Sequence, residues 1–136
     1  MRLRALIGTL AILLAGCSQA SQVVTERDAG RTVTLHAADT ITLDLQDSWG
    51  PPGVSLTWHA ITTNGSVLQL DSVEDPGLHI SSLGGPGNQQ VVQDFHAHFR
   101  AGAAGTAQIV AHGTGTCEAM AVCHRDRDIT ITVVVT

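Results

Sequence analysis

The fold is decided by a stretch in which polar and apolar residues alternate, Thr40-Ile41-Thr42-Leu43-Asp44-Leu45. Because successive side chains of a β-strand point to opposite faces, this pattern predicts a strand that buries Ile41, Leu43 and Leu45. Six further runs alternate in the same way or are rich in β-branched residues: 32–36, 55–61, 67–70, 91–100, 106–111 and 128–135. Seven strands in about 105 residues, separated by turn residues, indicate an all-β fold, a seven-stranded antiparallel immunoglobulin-like sandwich.

The composition excludes several classes of protein. A length of 136 residues allows one domain with a hydrophobic core and leaves no room for two. Twelve acidic residues face seven arginines and no lysine, and the resulting formal net charge of −5 argues against nucleic acid as a partner. Since 43% of the residues are hydrophobic and only 14% are charged, the chain is not disordered as a whole.

The first sixteen residues have the anatomy of a secretory signal. Arg2 and Arg4 precede an apolar run over residues 5–15. This run is too short to cross the hydrocarbon core of a membrane, because a spanning helix needs about 20 residues. The run ends in Leu14-Ala15-Gly16-Cys17, which resembles the lipobox of bacterial lipoproteins. This resemblance implies cleavage before Cys17 and attachment of a diacylglycerol to its sulfur. The alternatives are an ordinary signal peptide with a coincidental cysteine, or a buried N-terminal helix.

Processing before Cys17 divides the chain into three parts. Residues 1–16 are a cleaved signal peptide, residues 17–30 a lipidated tether, and residues 31–136 the sandwich domain. The mature chain then has 120 residues, with five arginines against twelve acidic residues and a formal charge of −7. We therefore expect an extracytoplasmic protein that is anchored to the bacterial cell membrane by its N-terminal lipid, since two acyl chains give stable anchoring.

Lipidation of Cys17 leaves Cys117 and Cys123 as a pair. Outside the cytoplasm such a pair favours a disulfide, which would close a loop of five residues and stabilise the fold by roughly 2 kcal/mol. The closed loop would display Glu118 and Met120 rigidly. That rigidity suits binding, and it equally suits resistance to proteases.

Three connections are longer than a hairpin needs: 46–54, 76–90 and 112–127. In a sandwich they can gather at one end, and loops held together on a rigid scaffold usually carry binding. The candidate partner-binding residues are Trp49, Pro51, Pro52, Gly84, Gly85, Glu118 and Met120.

The two tryptophans have different predicted roles. Trp49 precedes a Gly-Pro-Pro-Gly sequence that restricts the backbone, so its side chain can anchor a partner at low entropic cost. The alternative is that Trp49 folds back and caps the end of the sandwich. Trp58 lies in the inward register of its strand and is predicted to belong to the core, together with Phe95 and Phe99.

Seven histidines raise the question of a metal site. His96 and His98 share one face of a strand and could supply two imidazoles to Zn²⁺ or Cu²⁺. A third ligand would have to come from another histidine: His36, His112 or His124. The simpler interpretation is that His96 and His98 are polar residues on a solvent-facing strand, and we predict no metal and no other cofactor.

Motifs for catalysis are absent from the sequence. It has no Gly-x-Ser-x-Gly elbow and no phosphate-binding glycine loop, and pairing of Cys117 with Cys123 leaves no free nucleophilic thiol. We therefore predict that the protein is not an enzyme.

The order of elements from residue 31 to the C-terminus resembles the chagasin-like family of cysteine-peptidase inhibitors. The resemblance rests on six stretches: Ala38-Asp39-Thr40-Ile41-Thr42-Leu43, Trp58, Ser66-Val67-Leu68-Gln69-Leu70, Leu83-Gly84-Gly85, Phe95-His96-Ala97-His98-Phe99, and Ala101-Gly102-Ala103-Ala104-Gly105-Thr106-Ala107. It implies an immunoglobulin-like sandwich that inserts its B–C, D–E and F–G loops into the cleft of a papain-type peptidase.

The loops themselves depart from the family's motifs. In place of Asn-Pro-Thr-Thr-Gly the B–C loop has Asp47-Ser48-Trp49-Gly50-Pro51-Pro52-Gly53, and in place of Gly-x-Gly-Gly the D–E loop has Gly84-Gly85-Pro86-Gly87. The F–G loop lacks Arg-Pro-Trp, and residues 111–136 resemble secreted actinobacterial immunoglobulin-like proteins without assigned function. We therefore predict a lipid-anchored binding or structural module with an unknown protein partner. The alternative is a chagasin-like inhibitor with diverged loops.

Overall fold

The computed structural model describes residues 19–49, 54–82, 89–117 and 126–136. The described residues form eight strands and one short 3-10 helix. These are β1 (Ser21–Thr25), the 3-10 helix (Glu26–Asp28), β2 (Thr32–Leu35), β3 (Thr40–Trp49), β4 (Val54–Thr62), β5 (Leu68–Ser82), β6 (Gln89–Ala101), β7 (Gly105–Cys117) and β8 (Arg127–Val135). No helix among these residues is long and apolar enough to cross a membrane.

The strands build two four-stranded sheets that pack as a sandwich. The first sheet has the order β1-β3-β6-β5, and the second has the order β2-β8-β7-β4. Neighbouring strands are antiparallel except in two pairs, β1 with β3 and β2 with β8, which are parallel. The predicted all-β sandwich is confirmed, whereas the expectation of seven antiparallel strands is wrong: there are eight, and both sheets are mixed.

The additional strand, β1, lies within residues 17–30, where the sequence predicts a tether. Its five residues bury a single apolar side chain, Val24, so the segment has too little alternation to be recognised as a strand. Pairing with β3 supplies the hydrogen bonds that its side-chain pattern does not indicate. The tether is therefore not free of regular structure.

The strands also run further than predicted, so the three long connections shrink to 50–53, 83–88 and 118–126. β5 shows why. Its register with β6 shifts between Leu70 and Ser72 and again between Glu74 and Gly77. Because β5 is an edge strand, these irregularities let it pass Pro76, which has no N–H to donate. A strand of this kind has no clear alternation of polar and apolar residues, so its full length is not predicted from the sequence.

The core lies between the two sheets. The three aromatic residues predicted to point inward are buried, with 3% of Trp58, 1% of Phe95 and none of Phe99 exposed. Around them pack aliphatic residues from both sheets, including Ile41, Leu43, Leu45, Ile109, Ile131 and Val133. The predicted inward face of β3 is thus confirmed in full.

Candidate binding site at the loop end

Strand register places the connections 50–53, 83–88 and 118–126 at one end of the sandwich. In the first sheet the last residue of β3, Trp49, pairs with Val91 of β6, which pairs with Ile80 of β5. In the second sheet Val54, the first residue of β4, pairs with Cys117, the last residue of β7. Residues 50–53 reach at most about 18 Å between the two sheets, so both sets of strand ends lie together. We call this end the loop end.

Trp49 is the last residue of β3 and not a loop residue, which corrects its predicted place. Its side chain lies outside the described part of the chain. All six other predicted partner-binding residues lie outside the described residues: Pro51, Pro52, Gly84, Gly85, Glu118 and Met120. The strand ends that flank the segments containing them lie at the same end of the sandwich.

The lipidation of Cys17 and the disulfide between Cys117 and Cys123 stay predictions. Cys117 ends β7 at the loop end, but its side chain lies outside the described residues, as does all of Cys123. Cys17, the proposed lipidation site, precedes the first described residue, Gln19.

Polar contacts link β7 to the start of β8, next to the 118–126 connection. On the outer face of the second sheet, Nδ1 of His112 lies 2.5 Å from Oδ1 of Asp128 on the neighbouring strand. The Gly115 N–H donates to Oδ1 of Asp126 over 3.4 Å. The hydrogen bond to Asp128, together with the nearby negative charge, raises the pKa of His112. These contacts hold the start of β8 against β7.

Trp58 packs against the same part of β7 from inside the sandwich. It pairs across the sheet with Gly113, and its ring lies directly over that residue. A Cβ atom at Gly113 would come within 2.9 Å of Cζ3 of Trp58, so only glycine leaves room for the ring. The sequence identified Trp58 as core but gave no signal for its partner.

His96 and His98 point away from the core, as predicted, and both have acidic neighbours. Nδ1 of His96 lies 3.4 Å from Oδ1 of Asp44, and Nε2 of His98 lies 3.8 Å from Oε1 of Glu74. Nδ1 of His98 also shares a hydrogen bond of 3.0 Å with Oγ1 of Thr42.

The histidines suggested as a third metal ligand do not join His96 and His98. His112 belongs to the other sheet, and His36 lies beside Asp39 in the turn after β2. His124 lies outside the described residues. Among the residues that the structure describes, no group of three or more His, Cys, Asp or Glu side chains could hold a metal ion.

Neither a protein-family model nor a curated protein sequence matches this chain. Solved structures do match. The solution structure of amebosin has a TM-score of 0.55 and 20% identity, over 85% of this chain and 97% of that chain. The cysteine protease inhibitor EhICP2 from Entamoeba histolytica has a TM-score of 0.50 and 16% identity, over 89% of this chain and all of that chain. PbICP-C, solved in complex with falcipain-2, has a TM-score of 0.42 and 13% identity, over 87% of this chain and 92% of that chain.

At these identities the likeness concerns the fold alone. It extends over nearly the whole of the two structures with the higher TM-scores, so it includes both sheets and is not confined to a few strands. The chain therefore has the fold of the chagasin-like cysteine protease inhibitors.

Proposed function

We propose that this protein inhibits a papain-type cysteine peptidase by inserting its loop end into the active-site cleft. The observation that carries the proposal is the convergence of the 50–53, 83–88 and 118–126 connections at one end of the sandwich. Because the strand ends that flank the three connections lie together, the three segments can enter one cleft jointly. The fold shared with a cysteine protease inhibitor supports this function over a general structural module.

The continuous pairing of the strands that lead to the three connections also supports inhibition. β3 and β6 pair without interruption from Thr40 to Trp49, and β4 and β7 pair from Val54 to Thr62. The His112–Asp128 contact adds a side-chain link at the start of β8. Strand ends held in place before binding limit the conformational entropy that the chain loses in the complex, which favours affinity.

An inhibition assay tests the proposal. The full chain, purified from membranes in detergent, is titrated against papain with a fluorogenic peptide substrate. We expect reversible inhibition that is competitive with the substrate. Absence of both inhibition and a complex with papain whose catalytic cysteine is carboxymethylated would contradict the proposal.

Trp49 is the residue whose replacement is most informative. Because it ends β3 at the junction with the 50–53 connection, we expect Trp49→Ala to weaken inhibition at least tenfold, as for a central interface anchor. The matched control is Gly65→Ala, at a position where a Cβ meets no atom within 4 Å and which lies in the turn between β4 and β5 at the opposite end. A large fall in the melting temperature of Trp49→Ala, with inhibition unchanged, would assign Trp49 to the capping role instead.

We also propose that the protein is a lipoprotein anchored through Cys17 to the outer side of a bacterial cell membrane. The order of a basic start, a short apolar run and Leu14-Ala15-Gly16-Cys17 supports this. Intact-mass measurement of the membrane-purified chain tests it. We expect a chain that begins at Cys17 and carries acyl groups, and Cys17→Ser should abolish both processing and membrane retention.

A second candidate function is the binding of a cell-envelope protein that is not a peptidase. It is favoured by the loop sequences, which lack the family's Asn-Pro-Thr-Thr-Gly and Arg-Pro-Trp motifs. Cross-linking on intact cells followed by mass spectrometry distinguishes the two candidates, because it identifies the partner. Recovery of a cysteine peptidase supports inhibition, and recovery of another envelope protein supports this second function.

A further inference from the structure

The N-terminus enters the fold at the end of the sandwich opposite the loop end. Three turns lie there, formed by residues 36–39, 63–67 and 102–104, and we call this the turn end. Ser21, the first residue of β1, pairs in parallel with Thr40, the first residue of β3. Since β3 finishes at the loop end with Trp49, β1 begins at the far end of the molecule from the candidate binding site.

Hydrogen bonds fasten the incoming chain to this end. The Gln19 side-chain amide donates to the Ala38 carbonyl, and the Ala20 N–H donates to Oδ1 of Asp39 over 2.9 Å. The Thr40 N–H donates in turn to the Ala20 carbonyl over 3.0 Å. These contacts fix Gln19 and Ala20, the first two described residues, and in the sequence only Ser18 separates Gln19 from Cys17. A link from Cys17 to Gln19 spans at most about 7 Å.

The three turns form one connected surface. Ala38 donates its N–H to the Ala101 carbonyl over 2.9 Å. Gly102 and Ala103 donate to the carbonyls of Val67 and Ser66 over 2.8 and 2.9 Å. The first contact joins the β2–β3 turn to the end of β6, and the other two join the β6–β7 turn to the β4–β5 turn.

The turn end differs in charge from the rest of the molecule. Among the side chains of its turns, residues 36–39, 63–67 and 102–104, the only acidic one is Asp39, which is buried, and the only basic one is His36. Next to the turn end, Asp71 is neutralised by an ion pair of 2.9 Å with Arg100. Further acidic residues lie toward the loop end, at Asp47, Asp126 and Asp128. The surface of a bacterial membrane is rich in anionic lipid and repels such residues, whereas a neutral surface can approach it.

We propose that the turn end is a membrane-facing surface, which lies against phospholipid headgroups and projects the loop end away from the bilayer. The proposal rests on the lipid anchor at Cys17, because that anchor within two residues of Gln19 leaves the turn end no room to move away. The loop end then stands off by the length of β3, about 33 Å for its ten residues. This orientation keeps the candidate binding site open to a peptidase in solution.

Glycine amides report this orientation at both ends. The membrane-purified full chain, labelled with ¹⁵N, is placed in nanodiscs of phosphatidylethanolamine and phosphatidylglycerol, with and without a gadolinium-chelate lipid. We expect the amide signals of Gly65 and Gly102 at the turn end to lose intensity, while those of Gly113 and Gly115 near the loop end keep theirs. Equal loss at both ends, or greater loss at Gly113 and Gly115, would overturn the proposal.

A tether variant is the matched control. Insertion of twenty Gly/Ser residues between Ser18 and Gln19 lengthens the link without changing the domain. We expect the Gly65 and Gly102 signals to recover in this variant, and unchanged loss would overturn the proposal because the short link would then not set the orientation. An unacylated Cys17 in the purified chain would also overturn it. Papain inhibition measured on the same preparation tests the inhibitor proposal separately.

Discussion

Asp39 links the N-terminal strand to the turn between β2 and β3 with a single carboxylate. Oδ1 accepts the Ala20 N–H, and Oδ2 accepts the His36 N–H over 2.8 Å. These two backbone hydrogen bonds, the one from His36 being the stronger, lower the pKa of Asp39. The same turn holds Ala38 in the left-handed region, at φ 72°, where a side chain is normally unfavourable. Asp39 therefore stabilises a strained turn as well as the start of β1.

Asp39→Asn should destabilise the protein at neutral pH. An amide offers one oxygen, and its NH₂ group faces the second N–H donor. Because the folded pKa is lowered, the contribution of the carboxylate is present above the unfolded pKa of about 3.9 and is lost as the pH falls through the folded pKa. Urea titrations between pH 7 and pH 2 should show a stability difference between wild type and variant that shrinks below pH 4. A difference that stays constant with pH would contradict this role.

Gly113 tests the packing of Trp58. Gly113→Ala places a Cβ within 2.9 Å of Cζ3 and 3.0 Å of Cε3 of Trp58, whose side chain is buried. We expect a loss of about 1–3 kcal/mol in the free energy of unfolding, the usual cost of overpacking a core. The control is Gly65→Ala, whose new methyl group meets nothing within 4 Å and should change stability by less than about 0.5 kcal/mol. Equal values for the two variants would show that Trp58 does not require Gly113.

The contact between His112 and Asp128 makes a second pH-dependent contribution, of opposite sign. Asp128 raises the pKa of His112, so the stabilisation is complete below the unfolded pKa of about 6.5 and is lost as the pH rises through the folded pKa. Asp128→Asn should lower the titration midpoint of His112, followed by NMR of the imidazole protons. Asp71→Asn, which removes the partner of Arg100 on the other sheet, should leave that midpoint unchanged.

Among the strands, β1 is the one that the sequence did not reveal, and two neighbouring valines test its place in the fold. Val24 is 4% exposed in the core, whereas Val23 is 63% exposed on the outer face. We expect Val24→Ala to lower the free energy of unfolding by about 1–3 kcal/mol and Val23→Ala to have little effect. Urea denaturation of both variants gives the comparison. If both substitutions are neutral, β1 contributes nothing to the core.

The strands that were predicted share a feature that β1 and the strand extensions lack. Ile41, Leu43 and Leu45 alternate with polar residues, and the buried face of β3 follows directly from that pattern. The second half of β5 contains Pro76 and two register shifts, and its place in the sheet depends on hydrogen bonds to β6 that come from distant sequence. Backbone pairing of this kind leaves no trace in side-chain periodicity, so the loops were predicted too long.

For the molecule as a whole, the sequence predicted that the long connections gather at one end, and the strand register agrees. It placed Trp49 in a loop, whereas Trp49 ends a strand, because the boundary of β3 depends on its pairing with Val91. Two determinants of the site had no sequence signal. The His112–Asp128 contact joins residues 16 apart in the chain, and the room that Trp58 needs at Gly113 becomes visible only in three dimensions.

The parallel pairing of β1 with β3 also determines how the molecule bears mechanical load. In the proposed membrane-anchored complex, a bound peptidase would pull on the loop end, where β3 finishes, while the lipid would hold the start of β1 at the turn end. The two neighbouring strands are then drawn in opposite directions along their length. Under this shear geometry the hydrogen bonds from Ser21–Thr40 to Thr25–Asp44 are strained together, whereas antiparallel strands pulled at adjacent ends would separate one bond at a time. The parallel direction of β1 would thus make its pairing with β3 resist separation under such a load.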